Sequence, residues 1–129
     1  MVVFMVQKVR AGNPINRIGR AIERTAKSHG FKTIKNLAGH GVGRSLHEAP
    51  ENIVSFYDAT DKRVLREGMV IAIEPFLSTK STLVYQGDDG WTLSAERGNL
   101  SAQYEHTLIV TRGAPIVLTR VLTGADAAH

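Results

Sequence analysis

Three separate segments of the chain carry side chains that bind divalent cations in proteins. His40 lies between glycines in residues 39–43, Glu74 follows an apolar run, and Glu105 lies within a second apolar stretch. One neutral imidazole and two carboxylates can hold a divalent cation. The chain contains no cysteine, so thiolate ligands are excluded. These three residues predict a metal site that forms where distant parts of the chain meet.

Each of the three residues also has an ordinary structural explanation. A carboxylate in an apolar stretch needs a partner, and for a single Glu that partner is most often Arg or Lys. A lone His is usually structural as well. Two such carboxylates together with a His in a glycine frame favour a metal. The glycines do not form a dinucleotide fingerprint, because Arg44 or Leu46 occupies the position of the required third glycine.

The other histidines have weaker cases. His47 follows His40 by seven residues and is a second ligand, a proton donor to a substrate, or a surface residue. In a regular strand His106 faces away from Glu105, because side chains alternate between faces, so it is not a predicted ligand. His29 lies at the end of a predicted helix and receives no role.

A helix is predicted between Asn13 and Gly30. Asn13 is a good N-cap, Pro14 suits the first helical position, and Gly30 provides a stop. Apolar side chains recur between them at helical spacing, and four basic residues occupy the opposite face: Arg17, Arg20, Arg24 and Lys27.

The remainder of the chain has strand patterns. A buried strand at 70–73 delivers Glu74 at its end, and the longest predicted strand, 101–111, carries Glu105 at its middle. The glycine-rich segment 38–45 is predicted as a turn that holds His40. Further strands are expected at 31–35, 82–85, 91–93 and 115–119, with turns at 66–68 and 87–90 and the end of an element at Pro50.

These elements predict an α+β fold with a curved, mostly antiparallel sheet packed by one or two helices. The 129 residues, with 43% hydrophobic and 22% charged residues, fit a single domain, 1–129. The apolar start, residues 1–6, is too short to span a membrane and lacks the features of a signal peptide. The absence of cysteine fits a reducing compartment, so a cytoplasmic location without membrane contact is expected.

The net charge of +4 is unevenly spread. Residues 1–47 contain nine Lys or Arg and one acid, whereas residues 48–129 contain seven bases and eleven acids. A basic segment is most often a solvated face, but it also suits RNA or acidic protein. A non-catalytic binding module that contacts ribosomal RNA or protein is therefore the alternative function.

Four segments resemble the C-terminal half of a type I methionine aminopeptidase. The resemblance runs from about residue 5 to about residue 119. Related proline-specific aminopeptidases share the first two segments but differ around the last glutamate. The segments are Gly-His-Gly-Val-Gly-Arg-Ser-Leu-His-Glu-Ala-Pro at 39–50, Glu-Gly-Met-Val-Ile-Ala-Ile-Glu-Pro at 67–75, Asp-Gly-Trp-Thr at 89–92, and Ser-Ala-Gln-Tyr-Glu-His-Thr at 101–107.

The resemblance implies a pita-bread fold, two similar halves with a dinuclear metal site held by two Asp, one His and two Glu. His40 would be the His ligand, Glu74 a terminal ligand and Glu105 the bridging ligand. His47 would contact the scissile amide and the developing tetrahedral oxygen, and with Glu74 it forms the implied catalytic pair. Trp91 would line the methionine pocket. The ions would be Co, Mn, Fe or Zn, and they would activate a water.

Leu46 stands where some relatives have an aromatic pocket residue, which places it in the substrate-binding set. The two Asp ligands belong to the family's N-terminal half, and residues 1–57 contain no Asp. We therefore expect that this half is absent and that at most one ion is well held.

The implied activity is removal of the initiator methionine from nascent proteins, so the implied partner is a peptide or nascent-chain N-terminus, with proximity to the ribosome. A half of such a fold exposes a face that its other half would cover. That face favours a homodimer, a partner chain or aggregation.

Overall fold

The structure is a computed structural model that describes residues 6–121. Most of the apolar start of the chain therefore lies outside the described residues. No helix in the described part is long and apolar enough to cross a membrane. The elements are helix α1 (Asn16–Ser28) and strands β1 (Lys32–Thr33), β2 (Ala38–Gly41), β3 (Glu48–Val54), β4 (Val70–Ile73), β5 (Phe76–Ser78), β6 (Tyr85–Gln86), β7 (Leu93–Ser94), β8 (Ser101–Gln103), β9 (His106–Ile109) and β10 (Ile116–Val117).

The strands form three sheets within residues 6–121. A five-stranded sheet has the order β10-β9-β4-β2-β3, a three-stranded sheet has the order β1-β5-β8, and β6 pairs with β7. Every pairing is antiparallel. The prediction of an α+β fold with a mostly antiparallel sheet is confirmed.

One face of helix α1 builds the core. Ile18 and Ile22 are buried with Ile53 of β3, Ile71 of β4 and Leu108 of β9. The predicted stop is also confirmed, because Gly30 has a φ of 77° and donates its N–H to the carbonyl of Lys27 at 3.1 Å. The helix therefore packs against one face of the five-stranded sheet.

The predicted start of the helix is wrong. The helix begins at Asn16, and Ile15 occupies the N-cap position without a side-chain hydrogen bond. The segment before it is held by the backbone of 63–65 instead: Ile15 donates to the carbonyl of Arg63 and Leu65 donates to that of Asn13, both at 2.9 Å. This isolated antiparallel bridge, centred on Pro14 and Val64, holds the segment before the helix against residues 63–65.

The predicted long strand 101–111 is also wrong as a single strand. It is interrupted at residues 104–105, so that β8 pairs with β5 in one sheet and β9 pairs with β4 in the other. The predicted hairpin is confirmed by the pairing of Gln86 with Leu93. The predicted strand 31–35 is shortened to β1, because only Lys32 and Thr33 pair with β5. The predicted strand 82–85 is shortened and shifted to β6, because only Tyr85 and Gln86 pair with β7.

The glycines around His40 lie in a strand, which corrects the predicted turn. A Cβ at Gly39 would lie 2.3 Å from the carbonyl oxygen of Ala72, and one at Gly41 would lie 2.2 Å from that of Ala49. Glycine is thus required by close strand packing. Pro50 lies inside β3 rather than ending an element, and it is tolerated there because β3 is an edge strand.

Candidate metal centre

The two predicted carboxylate ligands lie where the chain passes from one sheet to the other. Ile73, the last residue of β4, pairs with His106, the first residue of β9. Phe76, the first residue of β5, pairs with Gln103, the last residue of β8. Glu74 and Glu105 lie in the two connections between these pairs, so the topology places both connections side by side.

His40 reaches the same junction from β2. Its backbone pairs with Ala72 of β4, and its Nε2 lies 3.4 Å from Oε1 of Glu74. Its Nδ1 lies 2.8 Å from the carbonyl oxygen of Gly41. Since a carbonyl only accepts, Nδ1 carries the proton of this hydrogen bond, and Nε2 is the ring atom that faces the carboxylate. This orientation by a backbone carbonyl is typical of metal-binding histidines.

The charges around Glu74 would favour a bound cation. Partial burial raises the pKa of the Glu74 carboxyl, the negative charge of Glu105 raises it further, and His40 acts in the opposite direction. The side chains of His40 and Glu74 are only 13% and 16% exposed. A divalent cation between these groups would reverse the repulsion and satisfy the imidazole lone pair. The imidazole and the carboxylate of this pair have the chemistry of metal ligands.

The third predicted ligand is less closely engaged. Glu105 is exposed, and its Oε2 lies 3.4 Å from Nε2 of Gln103. Within residues 6–121, no three His, Cys, Asp or Glu side chains stand close enough together to hold one ion. The structure thus joins His40 to Glu74 and leaves Glu105 as their electrostatic neighbour. The three-ligand set stays a prediction.

His47 lies beside the predicted ligands. Its ring centroid is 4.1 Å from that of His40, and the two planes are inclined by 48°. The loop that precedes it is closed by the N–H of Ser45, which donates to Oε1 of Glu48 at 2.8 Å. His47 is exposed, and its contact with a substrate stays a prediction.

The two predicted pocket residues are among the most exposed apolar side chains. Leu46 is 72% exposed and Trp91, at the tip of the β6–β7 hairpin, is 90% exposed. Their substrate-binding roles stay predictions.

A nearby cavity was not predicted from the sequence. It has a volume of about 260 Å³, and Phe76, Leu37 and Gln103 are among the residues that line it. The only sequence signal for it is that Phe76 follows Glu74 by two residues. The pairing of β5 with β8 is what turns this side chain towards Gln103.

Comparison with known proteins gives consistent matches. Residues 4–112 match the model of metallopeptidase family M24. The chain is 47% identical to methionine aminopeptidase 2 of Bacillus subtilis over 116 residues, which cover 90% of this chain and 47% of that protein. Crystal structures of the methionine aminopeptidases of Thermotoga maritima and Rickettsia prowazekii superpose with TM-scores of 0.83 and 0.85 at 35% and 31% identity. These matches cover 91% and 92% of this chain, and 47% and 48% of theirs.

The chain spans about half the length of the curated relatives it matches. The structural matches confirm the predicted fold class, half of a pita-bread fold. The family match covers most of the described residues and includes all three predicted ligands. This chain belongs to metallopeptidase family M24.

Proposed function

We propose that this chain is the metal-binding part of an aminopeptidase that removes the N-terminal methionine from peptides and nascent proteins. The observation that carries the proposal is the approach of His40 Nε2 to Glu74 Oε1, 3.4 Å, at the sheet junction that also holds Glu105. The resemblance to the methionine enzymes across most of the chain favours this substrate over others.

His40, Glu74 and Glu105 would hold one divalent cation. A divalent cation is implied by membership of a metallopeptidase family; Co, Mn, Fe and Zn all accept imidazole and carboxylate ligands. When bound, the cation supplies Lewis-acid activation of the scissile carbonyl and of a water molecule. The Gly41 carbonyl fixes the tautomer of His40, so that Nε2 is ready to ligate. The relatives' second ion would need ligands beyond these three.

Proton handling falls to His47 and Glu74. The imidazole of His47, whose ring lies 4.1 Å from that of His40, would donate a hydrogen bond to the scissile amide and to the developing oxygen. Glu74, which faces His40 across 3.4 Å, would accept a proton during hydrolysis. Leu46 and Trp91 would contact the methionine side chain once a partner surface covers them.

The β6–β7 hairpin is an exposed apolar surface that a partner could bury. It exposes Tyr85, Trp91 and Leu93, which are 66%, 90% and 49% exposed. A homodimer through this face would bury them, and equilibrium sedimentation of the chain tests it directly. A cytoplasmic location near the ribosome is part of the proposal, since its substrates would be nascent chains.

The test is hydrolysis of a Met-Ala-Ser peptide by the purified chain with Co²⁺, Mn²⁺, Fe²⁺ or Zn²⁺ added in turn. Free methionine should appear with at least one ion, and the His40→Ala variant should release none. A second assay adds a separately expressed N-terminal half of a relative. Methionine release that appears only in this second assay would show that the chain's own residues do not complete the active site. Release that is equal for the wild-type chain and His40→Ala in both assays would exclude the proposal.

A further inference from the structure

Helix α1 presents four cations to solvent along one face. Arg17, Arg20, Arg24 and Lys27 are all exposed, and their spacing of three, four and three residues places them on one side of the helix. The opposite side is buried in the core through Ile18, Ile22 and Ala26. The four residues, here called the basic stripe, extend over about 15 Å of helix.

No member of the basic stripe forms an ion pair within the described residues. The first turn of the helix contains no acid, and the carboxylate of Glu23 accepts the backbone N–H of Tyr57 at 3.1 Å. The ion pairs of residues 6–121 involve His40, Arg63 and Arg112, so none includes a member of the stripe. The stripe therefore offers its positive charge to an anionic partner.

An aromatic ring and a cleft adjoin the stripe. The guanidinium carbon of Arg20 lies 5.2 Å from the centroid of the Tyr57 ring, and Tyr57 is 45% exposed. A cleft of about 320 Å³ beside them is lined by Arg17, Arg20, Tyr57 and Lys62, and also by Pro14, Asn16 and Asp61. The carboxylate of Asp61 lies 2.7 Å from the guanidinium of Arg63, so it leaves the cleft basic.

The basic stripe, the exposed Tyr57 ring and the cleft together favour one class of partner. A membrane surface is disfavoured because the apolar face of the helix is buried in the core and cannot insert among lipids. Guanidinium groups suit phosphate, and an exposed aromatic ring beside them suits a stacked base. An acidic protein would use the charges but not the ring.

We propose that the basic stripe and Tyr57 form a binding surface for single-stranded nucleic acid. Successive phosphates lie along Arg17, Arg20, Arg24 and Lys27, and one base stacks on Tyr57 beside the cleft. The surface is formed by the helix and by the segment after β3, so this proposal does not depend on the peptidase activity.

The test is fluorescence anisotropy of a labelled 12-nucleotide single-stranded RNA titrated with the full chain at several salt concentrations. Four phosphate contacts predict a slope of about −3 in a plot of log binding constant against log salt. The double variant Arg17→Gln/Arg24→Gln should reduce the slope by about half. The matched control Arg66→Gln/Arg97→Gln removes two exposed arginines elsewhere and should leave it unchanged.

The Tyr57→Leu variant separates stacking from charge. It should weaken binding about tenfold while the salt slope stays the same, with circular dichroism to confirm that each variant is folded. Equal slopes for the stripe and control variants would overturn the proposal. Tighter binding to polyglutamate or to anionic lipid vesicles than to the RNA would overturn it as well, by assigning the stripe to another class of partner.

Discussion

Glu74 and Glu105 carry like charges at the two points where neighbouring chain segments pass together from one sheet to the other. Both segments make this passage between the pair Ile73–His106 and the pair Phe76–Gln103. Partial burial raises the pKa of the Glu74 carboxyl, and the negative charge of Glu105 raises it further. A cation between the two carboxylates would offset this repulsion.

A divalent cation should raise the melting temperature of the chain. Binding to the folded state alone stabilises by about 2.7 kcal/mol at a ligand concentration of 100 times Kd, which corresponds to a shift of several degrees for a chain of this size. The shift should disappear in Glu105→Ala, because the variant removes one ligand. Differential scanning calorimetry with and without Mn²⁺ measures it.

The matched control for this measurement is Glu96→Ala, since Glu96 is an exposed glutamate outside the sheet junction. It should keep the full shift. An undiminished shift in Glu105→Ala would remove Glu105 from the site.

Replacement of Gly39 by Ala should disturb both stability and the site. The added Cβ would lie 2.3 Å from the carbonyl oxygen of Ala72, so β2 would have to move away from β4 and carry His40 with it. We expect a loss of about 1–3 kcal/mol in the free energy of unfolding and a weaker cation-induced shift. Gly113→Ala is the control, because the nearest atom to its Cβ is 4.0 Å away. Urea denaturation should show little change for that variant.

The ion pair of Asp61 with Arg63 should give a pH-dependent stability. Hydrogen bonds from Arg63 hold the pKa of Asp61 below its usual value, so the unfolded chain binds more protons than the folded one at acidic pH. The stabilisation is then present above about pH 4 and is lost as the pH falls through the folded-state pKa. Solvent screening of the 43%-exposed Arg63 side chain limits the effect at pH 7 to about 1 kcal/mol.

This difference is measured by comparing the urea midpoints of the wild-type chain and Asp61→Asn at several pH values. The gap should be largest near neutral pH and should close below the folded-state pKa. A gap that stays constant down to pH 2 would show that Asp61 acts through packing and not through its charge.

The core contact of helix α1 with the five-stranded sheet should dominate stability. Ile71 is 0% exposed in β4 and packs with Ile18 of the helix. Ile71→Ala should lower the free energy of unfolding by about 2–5 kcal/mol through lost burial and the cavity left behind. Ile116→Ala, at a side chain that is 54% exposed, should have a much smaller effect. Equal losses for the two variants would contradict this picture of the core.

The sequence alone predicted the features that depend on near neighbours along the chain or on residue type. The periodicity of the apolar residues and Gly30 predicted the helix and its end, and the segments around His40, Glu74 and Glu105 led to the correct family. Helical spacing and a positive φ at a glycine depend on near neighbours, so these features are visible in the order of residues. The start of the helix was missed because a long-range backbone bridge, from Ile15 to Arg63, displaces it.

The arrangement of the site was decided only by tertiary structure. The apolar pattern of 101–111 is that of one strand, yet its two halves join different sheets because β5 and β4 offer pairing partners on either side of Glu105. The glycines beside His40 indicated a turn, whereas they serve a tightly packed strand. Residue types and spacing thus determined which groups could bind a metal. Pairing between residues far apart in the chain decided where they meet, because backbone hydrogen bonds between strands do not depend on local side-chain pattern.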